Sequence, residues 1–528
     1  MRIEAEGEDV VVSPLLGKGR LCERCWRRRR AAATNPRDLA EWGGEDGDLL
    51  VAFDKRVDKQ QLQMSYSQRR ELDRHVDARR VNADRGRAEI PYQLARIRRD
   101  GLVRIEPVVP LPSCTTCWQD AAVAPDRRGP LNFVGETAGI VTALLDVPSS
   151  TGALPDPHVV ISRLANSSLV PDRPFWTGAS GKGWTARDAL RSALGESVER
   201  YCANTVSAPV ITARLDELNA AIHPSRLTGM SPAAAAAAGL DPTATNAWVA
   251  SQPIDGSEQR WVPASAVYLN LPAQWRHRGD LPTSSNGLAC GADLAGAIDS
   301  ALREVIERHE FFSVWYGLTD AEDVSSDTAL DSELQEAFTA CGLQLRVLVL
   351  GRRNGVVVGC ACCWPRNPTP DQPAFTLGLG AAHDAVAALT DAVLELAQVY
   401  RGLTWALQRP SLAGRARSLA AGNIAPVEPY DHGLLYSQRD ASAVPWPFGL
   451  GAQRSLSCAS AKADLGPALF VDLTPRDVLE TVGWRVVRVL VPDAIPFHCG
   501  TRTIPDARLH LSPAQLAEFA GPSLHPLA

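Results

Sequence analysis

Three segments of this chain carry the same acidic pattern in the same helical register, and that repetition limits the fold more than any bulk property. SALGESVER places Ser192, Glu196 and Glu199 at i, i+4 and i+7. SALREVIER repeats the spacing with Ser300, Glu304 and Glu307, and DAVLELAQ with Asp391, Glu395 and Gln398. At 3.6 residues per turn, the three positions of each set fall within an arc of about 60°, so each set lines one helix face. Leu190, Leu194 and Val198 take another face of the first helix. Thirteen residues ahead of each leading glutamate stands Gly183, Gly291 or Ala382, inside the Gly-rich stretches SGKG, SNGLACG and GLGAA, which read as turns. Thr185 or Asp293 can cap the helix that follows. A turn–helix–acid unit therefore occurs three times.

A single ExxE is ordinarily a solvated helix face, but three in register are not. About five carboxylates brought together would repel one another and raise their own pKa values. Magnesium relieves this: it prefers hard oxygen ligands, keeps several waters and is commonly shared with substrate phosphates. The pattern points to a nucleoside triphosphate site, with Lys182, Arg200 and Arg308 placed to neutralise phosphate oxygens. There is no GxxxxGK[ST] motif, so the site is not a P-loop. The Gly-rich turns around Lys182 and Asn286 offer backbone N–H groups to phosphate instead. His309 and His498 are candidate general bases, each equally readable as a structural histidine.

Cysteine spacing supplies a second constraint. Cys22-x-x-Cys25 and Cys114-x-x-Cys117 are two knuckles whose four thiolates complete a closed tetrahedral site of the kind Zn²⁺ fills. Such a site is structural and staples a small domain with little core of its own. The other eight cysteines show no second metal spacing, and Cys362 and Cys363 sit in an apolar, strand-like run typical of core. Twelve cysteines in 528 residues are too few for a disulfide scaffold, which suits a reducing cytoplasm.

Composition excludes other classes. The chain is 45% hydrophobic and 22% charged, which argues against wholesale disorder. No run approaches the roughly 20 uncharged apolar residues of a membrane span, and MRIEAEGEDVVV lacks the features of a secretory signal. Residues 1–128 hold 25 basic against 21 acidic residues, and 129–528 hold 29 against 39. Neither balance is extreme enough for nucleic-acid binding. The turn-rich stretch 124–130 divides an N-terminal module, 1–128, from a body, 129–528. Within the module, 54–99 reads as solvated helix. In the body, strand-like HVVISRL (158–164) and LQLRVLVL (343–350) alternate with helical patterns, which gives a mixed α/β (α+β) fold. Residues 364–373 read as a loop and Ala233–Ala238 as a short helix.

SGKGWTARDALRSALGESVERY, SSNGLACGADLAGAIDSALREVIERHEFF and GLGAAHDAVAALTDAVLELAQ resemble the three ATP-site motifs of the YcaO family. DHGLLYS (431–437) and VVRVLVPDAIPFHCGTR (486–502) resemble later family blocks in the right order. The resemblance implies a YcaO-type fold with an ATP-binding cleft, and an ATP- and Mg²⁺-dependent enzyme that activates a peptide backbone amide. Its ATP ligands carry over to Ser192, Glu196, Glu199, Asn286, Glu304, Glu307, Arg308, Glu395 and Gln398, with Lys182 beside them. VVVSPLLGKGRLCERCWRRR and PSCTTCW are similar to the zinc-bearing end of the ubiquitin-activating-enzyme-like partner protein of azoline-forming cyclodehydratases. The match is shorter than that partner and leaves no room for its adenylation-like fold or a complete leader-binding domain. The implied partners are a ribosomally made precursor peptide and a separate leader-peptide-binding protein, with no nucleic acid and no membrane; homodimerisation stays open.

The resemblance also implies the reaction. A Cys, Ser or Thr side chain attacks the preceding amide carbonyl, the resulting oxygen takes the γ-phosphoryl group of ATP, and phosphate leaves to give a thiazoline or oxazoline. Azoline-forming members end in a PxPxP tail; this chain ends GPSLHPLA, with Pro522 and Pro526 but not the last proline. Thioamide or amidine formation and a non-catalytic peptide-binding scaffold are the alternatives. Removing zinc is expected to unfold or detach the N-terminal module and leave nucleotide binding in the body.

Overall fold

The computed structural model describes residues 2–33 (with breaks at 7, 15 and 17–19), 65–82, 92–119, 129–147, 157–166, 178–231, 233, 235, 244–275, 284–325, 332–427, 429–453, 465–500, 508 and 524–527. At the N-terminal end, β1 (Ile3–Glu6), β2 (Asp9–Val12), β3 (Tyr92–Ile97) and β4 (Val103–Val108) form an antiparallel sheet in that order. Helices α1 (Glu23–Ala33) and α2 (Tyr66–Asn82) accompany it. Among the described residues of the stretch 54–99, Tyr66–Asn82 is helix as expected, whereas Tyr92, Leu94, Ala95 and Ile97 are buried in a strand. The Arg27–Arg30 run is consumed internally. Arg27 pairs with Glu23, Arg29 with Asp477, and Arg30 with Glu4 and Glu6.

The body opens with β5 (Val141–Val147), β6 (His158–Leu164) and β7 (Gly178–Gly183), followed by α3 (Ala186–Asn204). Next come β8 (Val210–Arg214), β9 (Thr245–Pro253), β10 (Arg260–Pro263), β11 (Leu288–Gly291) and α4 (Leu294–Trp315). Then β12 (Glu322–Asp323), β13 (Leu343–Arg353), β14 (Val356–Pro365) and β15 (Thr376–Ala382) lead into α5 (Ala385–Leu407), α6 (Pro410–Ala420) and α7 (Pro429–Tyr436). A small pair, β16 (Pro445–Trp446) and β17 (Gly451–Gln453), precedes β18 (Leu469–Asp472), α8 (Arg476–Thr481) and β19 (Arg485–Leu490). The sheet orders are β5-β6-β7, β10-β9-β18-β19-β11 with β8 on β9, and β12-β13-β14-β15. Cys360, Cys362 and Cys363 lie buried in β14, as core.

Each carboxylate helix follows a strand that ends its sheet: α3 follows β7, α4 follows β11 and α5 follows β15. Each helix packs on its own strand and on the strand of the next unit. Thus α3 reaches β11, α4 reaches β15 and α5 returns to β7. Three strand–helix units from three sheets close into a ring, with the acidic faces brought to its centre.

Of the Gly-rich stretches expected as turns, SGKG and GLGAA lie within these terminal strands, while SNGLACG makes the expected turn at Asn286 and Gly287 and then enters β11. Their glycines let each helix lie against its strand: a Cβ on Gly181 would sit 2.0 Å from Ala193 N, on Gly291 2.5 Å from Ala297 N, and on Gly378 2.1 Å from Leu396 N. Gly181→Ala should therefore push α3 off β7 and cost about 3 kcal/mol, measurable by chemical denaturation. The caps recur as well. Thr185, Asp293 and Asp384 accept from the N–H groups of Asp188, Gly296 and Ala387, the last a cap the sequence reading did not name.

One core cluster holds the four cysteines' surroundings (Cys25, Trp26, Cys114, Cys117 and Trp118) together with Val198, Tyr201, Cys202 and Ala203 from the back of α3. Residues 124–128, most of the Ala233–Ala238 run, Cys458 and Pro522 lie outside the described residues.

Candidate active site

The ring centre opens into a cavity of about 1740 Å³. Lys182, Ser192, Glu196, Glu199, Asn286, Glu304, Arg308, Glu395 and Gln398 line it, joined by Arg200. Of the expected ligands only Glu307 stands behind the surface, buried and 3.2 Å from Arg308 in an ion pair.

Local structure explains the convergence. The leading glutamate of each helix accepts a backbone N–H from the segment preceding that helix: Glu196 from Ser180 at 3.1 Å, Glu304 from Gly287 at 3.1 Å and Glu395 from Leu379 at 3.4 Å. Two of the N–H groups considered for phosphate, those of Ser180 and Gly287, thus orient carboxylates, because the helix lies directly over its strand. Two of the three i+7 positions reach across to the next unit. Cys290 N donates to Glu199 at 2.8 Å, and Gln398 Nε2 donates to Ser180 Oγ at 3.0 Å. Lys182 Nζ sits 2.7 Å from Glu395, and Arg200 Nη2 sits 3.0 Å from Glu196.

Crowding shows in the acid strengths. Burial, with Glu196 nearby, pushes Glu199 up to about 8. Burial, opposed by Arg308 and reinforced by Glu395, pushes Glu307 up to about 7, and burial also raises Glu304. Glu395 goes the other way, because Lys182 and Arg308 outweigh its burial. Carboxylates that hold protons near neutrality, beside Glu395 held ionised, form an incompletely balanced donor set. The buried Oδ1 of Asn286, a cavity-lining residue, makes no hydrogen bond in the described structure, and Arg308 Nη1 meets the Glu307 carboxylate at 3.2 Å. Hard oxygen donors, an amide oxygen without a partner and cationic side chains lining the same cavity fit magnesium and a triphosphate.

A metal ion held by Glu199 and Glu307 would have to displace their protons. A raised carboxylate pKa favours the protonated, non-ligating form, so magnesium binding should be weakest in acid and strengthen as pH rises from about 6 to about 8.5. Calorimetry in buffers of different ionisation enthalpy should detect protons released on binding.

The cavity is also lined by apolar side chains, Leu145, Ile161, Trp405, Tyr430 and Phe497, which sequence reasoning missed. Part of this lining was within reach. Continuing the α5 stripe from Glu395 and Gln398 leads to Gly402 and Trp405 at helical spacing, and both line the cavity. His309 and His498 do not line it. His309 is buried and accepts the N–H of Ile495, and burial lowers it to about 3. His498 stacks on Phe312 and pairs with the Tyr316 hydroxyl at 2.9 Å. Both are structural.

A family model described as YcaO cyclodehydratase, ATP- and Mg²⁺-binding, matches residues 180–495, which contain all three strand–helix units except the start of β7. The chain belongs to the YcaO cyclodehydratase family. Among solved structures, one described as a heterocyclase in complex with substrate and cofactor is similar at a TM-score of 0.65 and 18% identity, over 97% of this chain and 76% of that one. The heterocyclase TruD is similar at a TM-score of 0.57 and 18% identity, over 97% and 74%. At these identities the likeness is one of fold, and it extends the YcaO comparison over the N-terminal sheet. An uncharacterized protein of Methanothermobacter thermautotrophicus is 29% identical over 223 residues, 42% of this chain and 56% of that protein. This YcaO chain therefore spans just over half the length of that curated relative.

Away from the cavity, the sulfurs of Cys22, Cys25, Cys114 and Cys117 all lie within 4.8 Å of one another, the one such group among the described residues. Cys22 and Cys114 are 3.6 Å apart and Cys25 and Cys117 3.8 Å, against the roughly 3.8 Å edge of a tetrahedron with 2.3 Å zinc–sulfur bonds. Backbone N–H groups of Cys22 and Leu111 donate to Cys117 Sγ and Cys25 Sγ, which favours thiolates. Among the described residues no helix is long and apolar enough to cross a membrane.

Proposed function

We propose that this chain is an ATP- and Mg²⁺-dependent cyclodehydratase that phosphorylates backbone amides of a ribosomally made precursor peptide and closes thiazoline or oxazoline rings. The observation that carries the reading is the meeting of three carboxylate helices around one cavity that Lys182, Arg200 and Arg308 also line, with the buried Asn286 Oδ1 left without a hydrogen bond. Glu196, Glu199, Glu304, Glu307 and Glu395 hold magnesium directly or through water, while Lys182, Ser192, Asn286, Arg308 and Gln398 orient the triphosphate. Bound magnesium supplies neutralisation of the charge that develops on the transferred phosphoryl group.

In the reaction, a substrate Cys, Ser or Thr side chain adds to the preceding carbonyl carbon. The former carbonyl oxygen takes the γ-phosphoryl, and ADP departs. Loss of phosphate, together with the amide proton, leaves the C=N of the azoline. Amide oxygen is a poor leaving group and phosphate a good one, so the protein contributes mainly position and charge. The cavity exceeds the roughly 300–1,000 Å³ that encloses a single small ligand, and its apolar lining is assigned to the peptide. Residues 1–128 form a zinc-stapled module in which Cys22, Cys25, Cys114 and Cys117 bind Zn²⁺, residues 129–528 form the catalytic body, and a separate protein captures the leader in the cytoplasm.

The test is mass spectrometry of a Cys/Ser/Thr-rich candidate peptide incubated with the chain, its leader-binding partner, ATP and Mg²⁺. Loss of one water per ring, matched by ADP formation, supports the proposal. Exchange of oxygen for sulfur would assign a thioamide product instead, and an unmodified peptide with no ATP consumed would refute amide activation.

A further inference from the structure

The four-cysteine site and the carboxylate helix α3 are joined by a buried ionic bridge that neither needs for its own chemistry. Cys25 lies in the first turns of α1, and Arg29 stands one turn further along the same helix. Arg29 Nε donates to the carbonyl of Val109 at 3.0 Å, and Nη2 donates to the carbonyl of Pro110 at 2.9 Å and to Asp477 Oδ2 at 2.5 Å. The same Asp477 oxygen accepts from the Tyr201 hydroxyl at 2.6 Å, and the Arg29 guanidinium lies 5.5 Å from the centre of the Tyr201 ring. Tyr201 is two residues beyond Glu199. Leu111, next to Pro110, donates its N–H to Cys25 Sγ at 3.3 Å. A continuous path of short contacts thus runs from a cysteine sulfur to the helix that presents Glu196 and Glu199.

All three side chains are at least 98% buried. Apolar residues of the same volume would fill this space without the cost of desolvating a charge pair, so stability is a poor explanation for the bridge. What a buried, fully directed ion pair adds is geometry: it sets how α1 lies against α3. Glu199, held by Cys290 N across the ring, depends on that placement.

We propose that Arg29, Asp477 and Tyr201 are positioning residues that couple zinc occupancy of the four-cysteine site to Mg·ATP affinity at the carboxylate site. This rests on the zinc and nucleotide assignments above. It reverses the sequence-based expectation that zinc removal leaves nucleotide binding intact, because the two sites share one core and one ion pair rather than a linker. Coupling of this kind is reciprocal, so Mg·ATP must tighten the hold on zinc by the factor by which zinc tightens the hold on Mg·ATP.

The experiment uses the full chain with zinc bound. Zinc release to a chromophoric chelator that ignores magnesium is timed with and without Mg²⁺ and a non-hydrolysable ATP analogue. Nucleotide should slow release by about fivefold or more. Tyr201→Phe keeps the ring and its packing but loses the hydroxyl. It should retain one zinc per chain, lose most of the slowing, and bind the analogue more weakly by a similar factor; Asp477→Asn should do the same. A residue serving only packing would change release equally with and without nucleotide, leaving the ratio intact. A ratio of one in the unaltered protein, with both ligands bound, overturns the relay alone, as does an unchanged ratio in Tyr201→Phe. A protein that holds no zinc overturns the zinc assignment and the relay with it, and one that binds no nucleotide overturns the ATP assignment and the relay.

Discussion

Glu199→Gln should lower kcat for ATP turnover by about a hundred- to a thousandfold, while the metal-free protein stays at least as stable as before. The side chain has one hydrogen bond, from Cys290 N, and an amide oxygen accepts it equally well. What disappears is a charge that the fold resists, since burial and Glu196 already hold Glu199 protonated up to about pH 8. Metal is what makes that carboxylate useful. The variant should therefore melt at or above the normal temperature without ligands and gain little when Mg·ATP is added. Magnesium binding should also lose its most alkaline titration step. Unchanged phosphate release in Glu199→Gln would remove this residue from the metal site.

The second large effect is expected at His525. Its ring is fully buried, stacks on His432 with centroids 4.3 Å apart, and meets Phe312 edge-on at 5.0 Å. Its Nε2 donates to the carbonyl of His498 at 2.8 Å, and its Nδ1 accepts the N–H of Leu527. His432 Nε2 accepts from Gly500 N, and its Nδ1 donates to the carbonyl of His525. These partners fix both rings as neutral. His525→Ala removes the stack and strands the His498 carbonyl, at a cost of about 3–5 kcal/mol. Phe497 and Cys499 flank His498 and line the cavity, and Arg308 lies over the Phe497 ring. The variant should therefore raise KM for ATP as well as lower Tm, with faster hydrogen exchange over 495–500.

The same cluster sets an acid limit. Burial lowers His432 and His525 and brings His498 to about 4, so the folded state binds protons less tightly than the unfolded chain. Its contribution is complete above about pH 6.5 and is lost as pH falls towards 4. Stability curves of the parent protein and His525→Ala should converge across that window.

Much of the site was legible because a helical repeat is a local signal. Ser192, Glu196 and Glu199 need only 3.6-residue periodicity to share a face, and their recurrence at 300–307 and 391–398 announces convergence. The cysteine pairs were readable for the same reason. What spacing does not encode is which strand a helix leans on. The Gly-rich segments read as turns because glycine punctuates turns far more often than it marks a strand pressed by a helix. The apolar lining of the cavity assembles Leu145, Ile161, Trp405, Tyr430 and Phe497 from distant parts of the chain, and no window along the sequence shows them together. Arg29 looked like one charge in a basic run, and only its partner Asp477, 448 positions away, reveals its place.

Closure of the three units also bears on how the chain reaches its native state. β7, β11 and β15 each terminate a sheet, and each is approached by a helix belonging to another unit. Until the last unit docks, the parts of these three edge strands that another unit's helix approaches lie bare at once, and an exposed strand edge is a template for pairing with another molecule. Self-association during refolding is therefore the hazard built into this architecture, and conditions that quiet repulsion among the central acids should raise the yield of monomer.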